Sequence, residues 1–392
     1  MRMSDQAYNR LSMLKALRAA EPISRTDLAE LSGLNGGTIT AIVRDLVERG
    51  LVIEERVASA NRGRPRVNLR INPEGAFVAG ATMNDDANLI TEIVDLRGQP
   101  IGPAHIAQYA PTPDPAVLAE QFAELITQAI AASPVPRDSI AQIGIGVPAI
   151  VESRTGIIKF FETFEGLPFP FAQAIERELG IPTRVDNNVN LLARAEHWFG
   201  ESTGVDDFTL VQVDLGLGGA RYQQGQLLIG SHGVEAEMGH TKVVPEGGRR
   251  CHCGAQGCLQ TYSSMSGIAF HAAELAGEEA PSLPSLRGNF AELAERAMAG
   301  EAGIVALFDQ AARYLGRAMA NHINMQDPAR ITVLTKSPAL ISLFTDPFFA
   351  ALHSDTLPVL RDPERVTFKL MTDTNYARGA AAMVLEQIYL SP

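Results

Sequence analysis

Cysteine is scarce in this chain, with three residues in 392. All three fall between positions 251 and 258, so none is left over for a disulfide framework, and an oxidised, disulfide-held scaffold is excluded. Long apolar runs are absent too; none is long enough to span a bilayer. The opening Met1-Arg2-Met3-Ser4-Asp5 leads into a charged amphipathic pattern, not into a signal peptide. A cytoplasmic protein with no membrane partner is expected. The remaining composition, 46% hydrophobic and 20% charged, is ordinary for a globular protein. A length of 392 residues predicts two or three domains.

The few cysteines sit together. Cys251, Cys253 and Cys258 lie in Cys-His-Cys-Gly-Ala-Gln-Gly-Cys, and His240 precedes them in Glu237-Met238-Gly239-His240. Three thiolates and one imidazole make a closed tetrahedral set for zinc. Four protein ligands leave no open position for a catalytic water, so the expected Zn2+ is structural. His252 and His232 are spare candidates, read more plainly as solvated loop histidines.

The net charge of −12, taken whole, argues against a nucleic-acid partner. It is unevenly spread. Residues 1–73 carry 12 Lys and Arg against 8 Asp and Glu, a balance of +4. The remainder carries 21 against 37, a balance of −16. A basic head on an acidic body fits a small nucleic-acid-binding module joined to a domain that stays off DNA.

Within the head, Leu11, Leu14 and Leu17 recur at helical spacing until Glu21-Pro22-Ile23 breaks the pattern. Ser24 with Asp27 makes a capping box for a second helix, whose apolar face is Leu28, Leu31 and Leu34. A third helix follows Asn35, with Ile39, Ile42, Val43 and Leu46 inward and Gly50 stopping it. The link at Gly33-Leu34-Asn35 has the length of a helix-turn-helix turn. Beyond Gly50 the apolar period drops to two, and 51–57 and 67–71 read as a β-hairpin with its tip at 60–66. A winged helix-turn-helix is predicted. Arg62-Gly63-Arg64-Pro65 is a short extended sequence of the A·T-hook kind, in which arginines fit a narrow, negative minor groove. The outer face of the third helix carries Asn35, Thr38, Thr40, Ala41 and Arg44. With Arg62, Arg64 and Arg66 on the wing, these are the expected contacts to double-stranded operator DNA. The competing reading is a three-helix oligomerisation module with an idle outer face. It loses because helix and wing point to the same partner.

From about Pro73 strands and helices alternate. Strands are expected at 77–82, 89–95, 143–148 and 210–214, and a helix at 115–132. Two α/β halves with a cleft between them are inferred.

Several segments of this body resemble one family. Glu237-Met238-Gly239-His240 followed by Cys251-x-Cys253-Gly254-x-x-Gly257-Cys258 is similar to the signature of the ROK family (repressor, open reading frame, kinase). Gly144-Ile145-Gly146-Val147-Pro148, Asn187-Asn188 through Trp198-Phe199-Gly200, and Leu215-Gly216-Leu217-Gly218-Gly219 fit as well, as do 324–328 and 379–381. The resemblance implies a two-lobed actin-like, hexokinase-like (ribonuclease H-like) α/β body behind the winged helix-turn-helix. It implies a head at 1–73, a smaller lobe at 74–188 plus about 370–392, and a larger lobe with the zinc site at 189–369. Family members are sugar kinases or, with such a head, sugar-responsive repressors, usually dimers or tetramers.

Chemistry separates the two. In the family kinases the general base is the aspartate of an Asn-Asp pair, which falls here on Asn187 and Asn188. An amide cannot take a proton as a general base. Asp186, one residue earlier on a strand, faces the other way. The first phosphate loop, Asp-x-Gly-Gly-Thr in the kinases, aligns with 82–86, which lacks the glycines and carries Asp85 and Asp86. The second, Gly216-Leu217-Gly218-Gly219, survives, though a tight turn after a strand explains it equally well. The resemblance also implies a sugar pocket formed by Asn187, Asn188, Glu237, His240 and Gln260. Asn188 and Gln260 are amides where the family has carboxylates, and amides both donate and accept towards hydroxyls. The expectation is therefore a sugar-responsive transcriptional repressor, a homodimer or homotetramer, with no enzymatic activity. The alternatives are an ATP-dependent sugar kinase and a repressor controlled by a protein partner.

Overall fold

The computed structural model describes residues 5–57, 66–84, 86–161 and 163–390. The head begins with helices Asp5–Ala20, Arg25–Ser32 and Gly36–Glu48. Its second helix starts where the Ser24 hydroxyl accepts the Asp27 amide at 3.2 Å, and it ends at Gly33 with φ 70°, a left-handed angle that suits glycine. Asn35 caps the third by accepting the Thr38 amide at 2.9 Å. Strands Val52–Val57 and Arg66–Ile71 then pair antiparallel, as the period of two required. A two-residue strand, Ile23–Ser24, adds to Asn68 and Leu69 and completes a three-stranded sheet. It was read only as a helix break, because two residues carry no period.

The body holds two five-stranded sheets built on one plan. The first runs Thr183–Asn187, Ile140–Val147, Phe77–Met83, Asn88–Asp95, His105–Gln108. The second runs Gln226–Leu227, Leu217–Gln223, Phe208–Val213, Arg330–Thr335, Val366–Leu370. In each, an antiparallel meander is extended by two parallel strands. The parallel strands need crossover helices to return the chain, and helices then cover the sheet faces.

Two helices fix how these layers meet. The C-terminal helix, Asp373–Leu390, lies so close to the first sheet that a Cβ on Gly144 would stand 2.0 Å from the Ala380 carbonyl. The helix Asn188–Phe199 packs backbone to backbone on it, where a Cβ on Gly379 would meet the Leu191 carbonyl at 1.9 Å. Its opposite side reaches the second sheet, with His197 stacked on Tyr222 at 4.3 Å. The head is not a detached bead. Leu14, Leu17, Leu28, Val43 and Leu46 share one buried cluster with Trp198, Val384, Leu385 and Tyr389.

Candidate functional site

The ends of the strands of both sheets border a cleft of about 470 Å³. Its floor is the junction between strand Thr183–Asn187 and helix Asn188–Phe199. Asn187 accepts the Val189 amide at 2.8 Å and donates to the Ala149 carbonyl at 2.7 Å, so the residue that caps the helix also lines the cleft. Asn188 is buried and accepts the Thr82 hydroxyl at 3.3 Å. Asp186 is fully buried, and its carboxylate accepts from the Ser153 hydroxyl (2.8 Å), the Asn187 amide (2.8 Å) and the Asn190 side chain (2.9 Å). It does not line the cleft among the described residues.

The facing wall is the turn Met238–His240 and the segment through Gln260. Gly239 must be glycine, since a Cβ there would come within 2.2 Å of the Leu217 carbonyl. That contact brings Glu237 and His240 into the cleft beside the glycine strand Leu217–Gln223. The glycines of that strand answer to packing: a Cβ on Gly218 would press on Val189, and one on Gly219 on Met238, both at 2.7 Å. Burial raises the Glu237 carboxyl above the usual carboxylate range. Asn187, Asn188, Glu237, His240 and Gln260, distant in sequence, thus line one cavity. His252, read from sequence as a solvated loop residue, lines it too, with its ring 3.2 Å from the Gln260 amide nitrogen.

Ion pairs occupy the other end of the cleft. Arg287 bonds Asp214 at 2.8 Å, Lys336 lies 3.7 Å from Asp214 and pairs with Asp373, and Asn84 donates to Asp373 at 3.1 Å. Among the described residues, Asp214 and Asp373 line the cleft beside Lys336. Asp86 is exposed and does not line it, and Asp85 lies outside the described residues.

His240, Cys251, Cys253 and Cys258 form a group that could hold a metal ion, with ligand atoms all within 4.8 Å of one another. Cys253 and Cys258 sulfurs are 3.7 Å apart, and Cys251 Sγ lies 3.6 Å from His240 Nδ1. A tetrahedron with bonds of about 2.3 Å has edges of about 3.8 Å, so the spacing suits four-coordination. His240 presents Nδ1 to this group, while Nε2 is 3.9 Å from Glu237 in the cleft. Lys242, not anticipated from sequence, donates to Cys258 Sγ at 2.7 Å and offsets thiolate charge.

On the head, Asn35, Thr40, Ala41 and Arg44 are exposed along one face of Gly36–Glu48, and Thr38 is half-buried. Asn35 Oδ1 is committed to its cap and the Thr40 hydroxyl donates to the Gly36 carbonyl at 2.7 Å. Arg66 opens the second wing strand, and Arg62 and Arg64 lie outside the described residues.

Comparison with known proteins places the whole. Residues 7–53 match a winged helix-turn-helix DNA-binding family, and residues 93–387 match the ROK family. The glucokinase of Halalkalibacterium halodurans is 31% identical over 224 residues, 56% of this chain and 68% of the relative. The N-acetylglucosamine repressor of Escherichia coli O157:H7 is 27% identical over 372 residues, 93% of this chain and 88% of the relative. A crystal structure of a ROK family transcriptional regulator, a homolog of the E. coli MLC protein, superposes with a TM-score of 0.79 at 27% identity, covering 98% of this chain and 96% of that one. The family match runs through both sheets, the cleft and the Cys/His group, behind a winged helix-turn-helix: the chain belongs to the ROK family.

Proposed function

We propose that this protein is a sugar-responsive transcriptional repressor whose kinase-shaped body binds an effector without turning it over. The observation that carries the reading is Asn188. A kinase of this fold needs a carboxylate that takes a proton from the attacking hydroxyl. The side chain at that position is a buried amide, and the carboxylate adjoining the pair in sequence, Asp186, is held by three hydrogen bonds and does not line the cavity. The ion pairs of Lys336 and Arg287 with Asp214 and Asp373 further support loss of nucleotide binding, since these cations are already matched by carboxylates. Likeness to a repressor over 93% of the chain, head included, points the same way.

In this reading Asn187, Asn188, Glu237, His240 and Gln260 hold sugar hydroxyls. The donor set of His240, Cys251, Cys253 and Cys258 suits Zn2+, which when bound would lock these loops by ligation. With Nδ1 of His240 given to the metal group, its Nε2–H is free to donate into the cleft, so metal and sugar occupancy are coupled. Asn35, Thr38, Thr40 and Arg44 meet the major groove, and Arg62, Arg64 and Arg66 the flanking minor groove. A cytoplasmic dimer or tetramer would present two such heads to a pseudo-palindromic operator. The units that move are the head at 1–73, the lobe of 74–188 with 370–392, and the lobe of 189–369.

Thermal-shift screening of sugars, polyols and sugar phosphates tests the effector, and an operator recovered from random duplex DNA tests the head. Steady ATP-dependent phosphorylation of any of those sugars overturns the reading in favour of a kinase.

A further inference from the structure

We propose that the helix Asn188–Phe199 is a shaft that carries the state of the cleft to the DNA-binding head, with Trp198 and Phe199 as the joint. The inference rests on the cleft being an effector site, and its test stands apart from that reading.

The shaft begins in the cleft. Asn187 caps its first turn and Asn188 is its first residue, so a ligand that engages either pulls directly on the helix. Its 12 residues, at about 1.5 Å each, span roughly 18 Å. The far end is seized by the head. Arg18, on the head's first helix, stands 5.1 Å over the Trp198 ring and 5.5 Å over Phe199, and donates to the Arg97 carbonyl at 2.9 Å. Tyr389 stacks on Trp198 as well, with ring centroids 6.1 Å apart and planes 9° from parallel. Arg378 lies 5.8 Å over Phe199, and a Cβ on Gly98 would come within 2.4 Å of that ring. Trp198 is 7% exposed and Phe199 is half-buried.

Between its ends the helix is held on both flanks. Arg194 pairs with Glu386 on the C-terminal helix. On the other flank Glu196 accepts the Ser202 amide at 3.1 Å and Lys369 at 3.0 Å, and His197 stacks on Tyr222. A packed helix of this kind has few intermediate positions; it shifts as a unit. The head moreover contacts both halves of the body. Lys15 pairs with Asp206 beside the second sheet at 3.2 Å, and Arg49 donates to the Ile388 carbonyl of the C-terminal helix at 2.7 Å. Rotation of one sheet against the other would therefore have to re-seat the head. A head hung on a free linker would show none of these contacts.

Arg18 is thus a positioning residue, and amide hydrogen exchange of the full chain tests it. In Arg18→Ala, exchange should rise at least threefold along all of 187–199, including the first turn at the cleft. Lys15→Ala, which removes only a half-exposed ion pair, should act in the same direction and serves if the first variant folds poorly. Operator DNA recovered from a random duplex library should slow exchange across 187–199 in the wild type and leave it unchanged in Arg18→Ala. A rise confined to 196–200 overturns the proposal, as does operator protection confined to 5–71. Sugar binding is scored separately by calorimetry, so an empty cleft would sink the effector reading while the exchange pattern still decides the shaft.

Discussion

At the scale of single residues, the side chains that define this protein are those that depart from their neighbours' chemistry. Cys253 is exposed beside two buried thiols and a half-buried imidazole. Burial pushes the Cys251 thiol up to about 11, so without a cation it stays protonated at neutral pH. Cys253→Ser should abolish stoichiometric zinc, measured by elemental analysis of purified protein, and lower the melting temperature. Unaltered zinc content would remove the ligand set. His197 is a second case. Burial against Tyr222, itself stacked on Phe208, drives its imidazole down to about 3. The unfolded chain takes up this proton near pH 6.5, whereas the folded chain refuses it until about 3. Its neutral form thus supports folding fully above pH 6.5, and that support drains away as pH falls towards the folded value. His197→Phe should flatten the loss of stability between pH 6.5 and 4 by up to about 1.4 kcal/mol per pH unit, read from urea midpoints. Curves of equal slope for the two proteins would refute the assignment.

At the scale of elements, the third helix of the head and the hairpin behind it each offer an arginine to the proposed operator. Arg44 is exposed and lies 4.0 Å from Glu48, an ion pair worth little in water. Arg44→Ala should leave the melting curve in place, weaken operator binding, and reduce the salt dependence by about one phosphate contact. Arg64→Ala on the wing should weaken operators with A·T-rich flanks more than those without, at unchanged sugar affinity; equal losses on both would remove the minor-groove role. The helices and hairpin of the head were legible because each repeats its apolar period over several turns or strand pairs. Ile23–Ser24 was not, being too short to carry one. Asn187, Asn188, Glu237, His240 and Gln260 could be named from motifs, but their meeting in one cavity depends on Gly239 approaching Leu217, a contact no periodicity encodes. The ion pairs of Lys336 were missed for a related reason. Asp214, Arg287, Lys336 and Asp373 come from four elements, and nothing local marks a lysine that will find carboxylates across a cleft.

At the scale of the whole molecule, the charge split marked a basic head joined to an acidic body, and the packing runs across that join. Sequence composition changes near Pro73, but the buried cluster does not stop there. Arg18 donates to the Arg97 carbonyl at 2.9 Å, Arg97 pairs with Glu21, and the head's leucines cover Leu385 and Trp198. A fragment of 74–392 should therefore melt several degrees below the full chain and self-associate through the uncovered face, seen by light scattering. A monodisperse fragment of unchanged melting temperature would show that the two parts are energetically independent. The two sheets were foreseen as two α/β halves, while the helices that lock them could not be, because their glycine contacts join Gly379 to Leu191 and Gly144 to Ala380, residues 188 and 236 positions apart.

Trp198 is the only tryptophan in the chain. Every photon of indole fluorescence the protein emits therefore originates where head meets body, under the guanidinium of Arg18. The molecule comes with a built-in optical gauge at that point, and a change in colour or brightness on adding a sugar or a duplex can be read without dye, label or mutation.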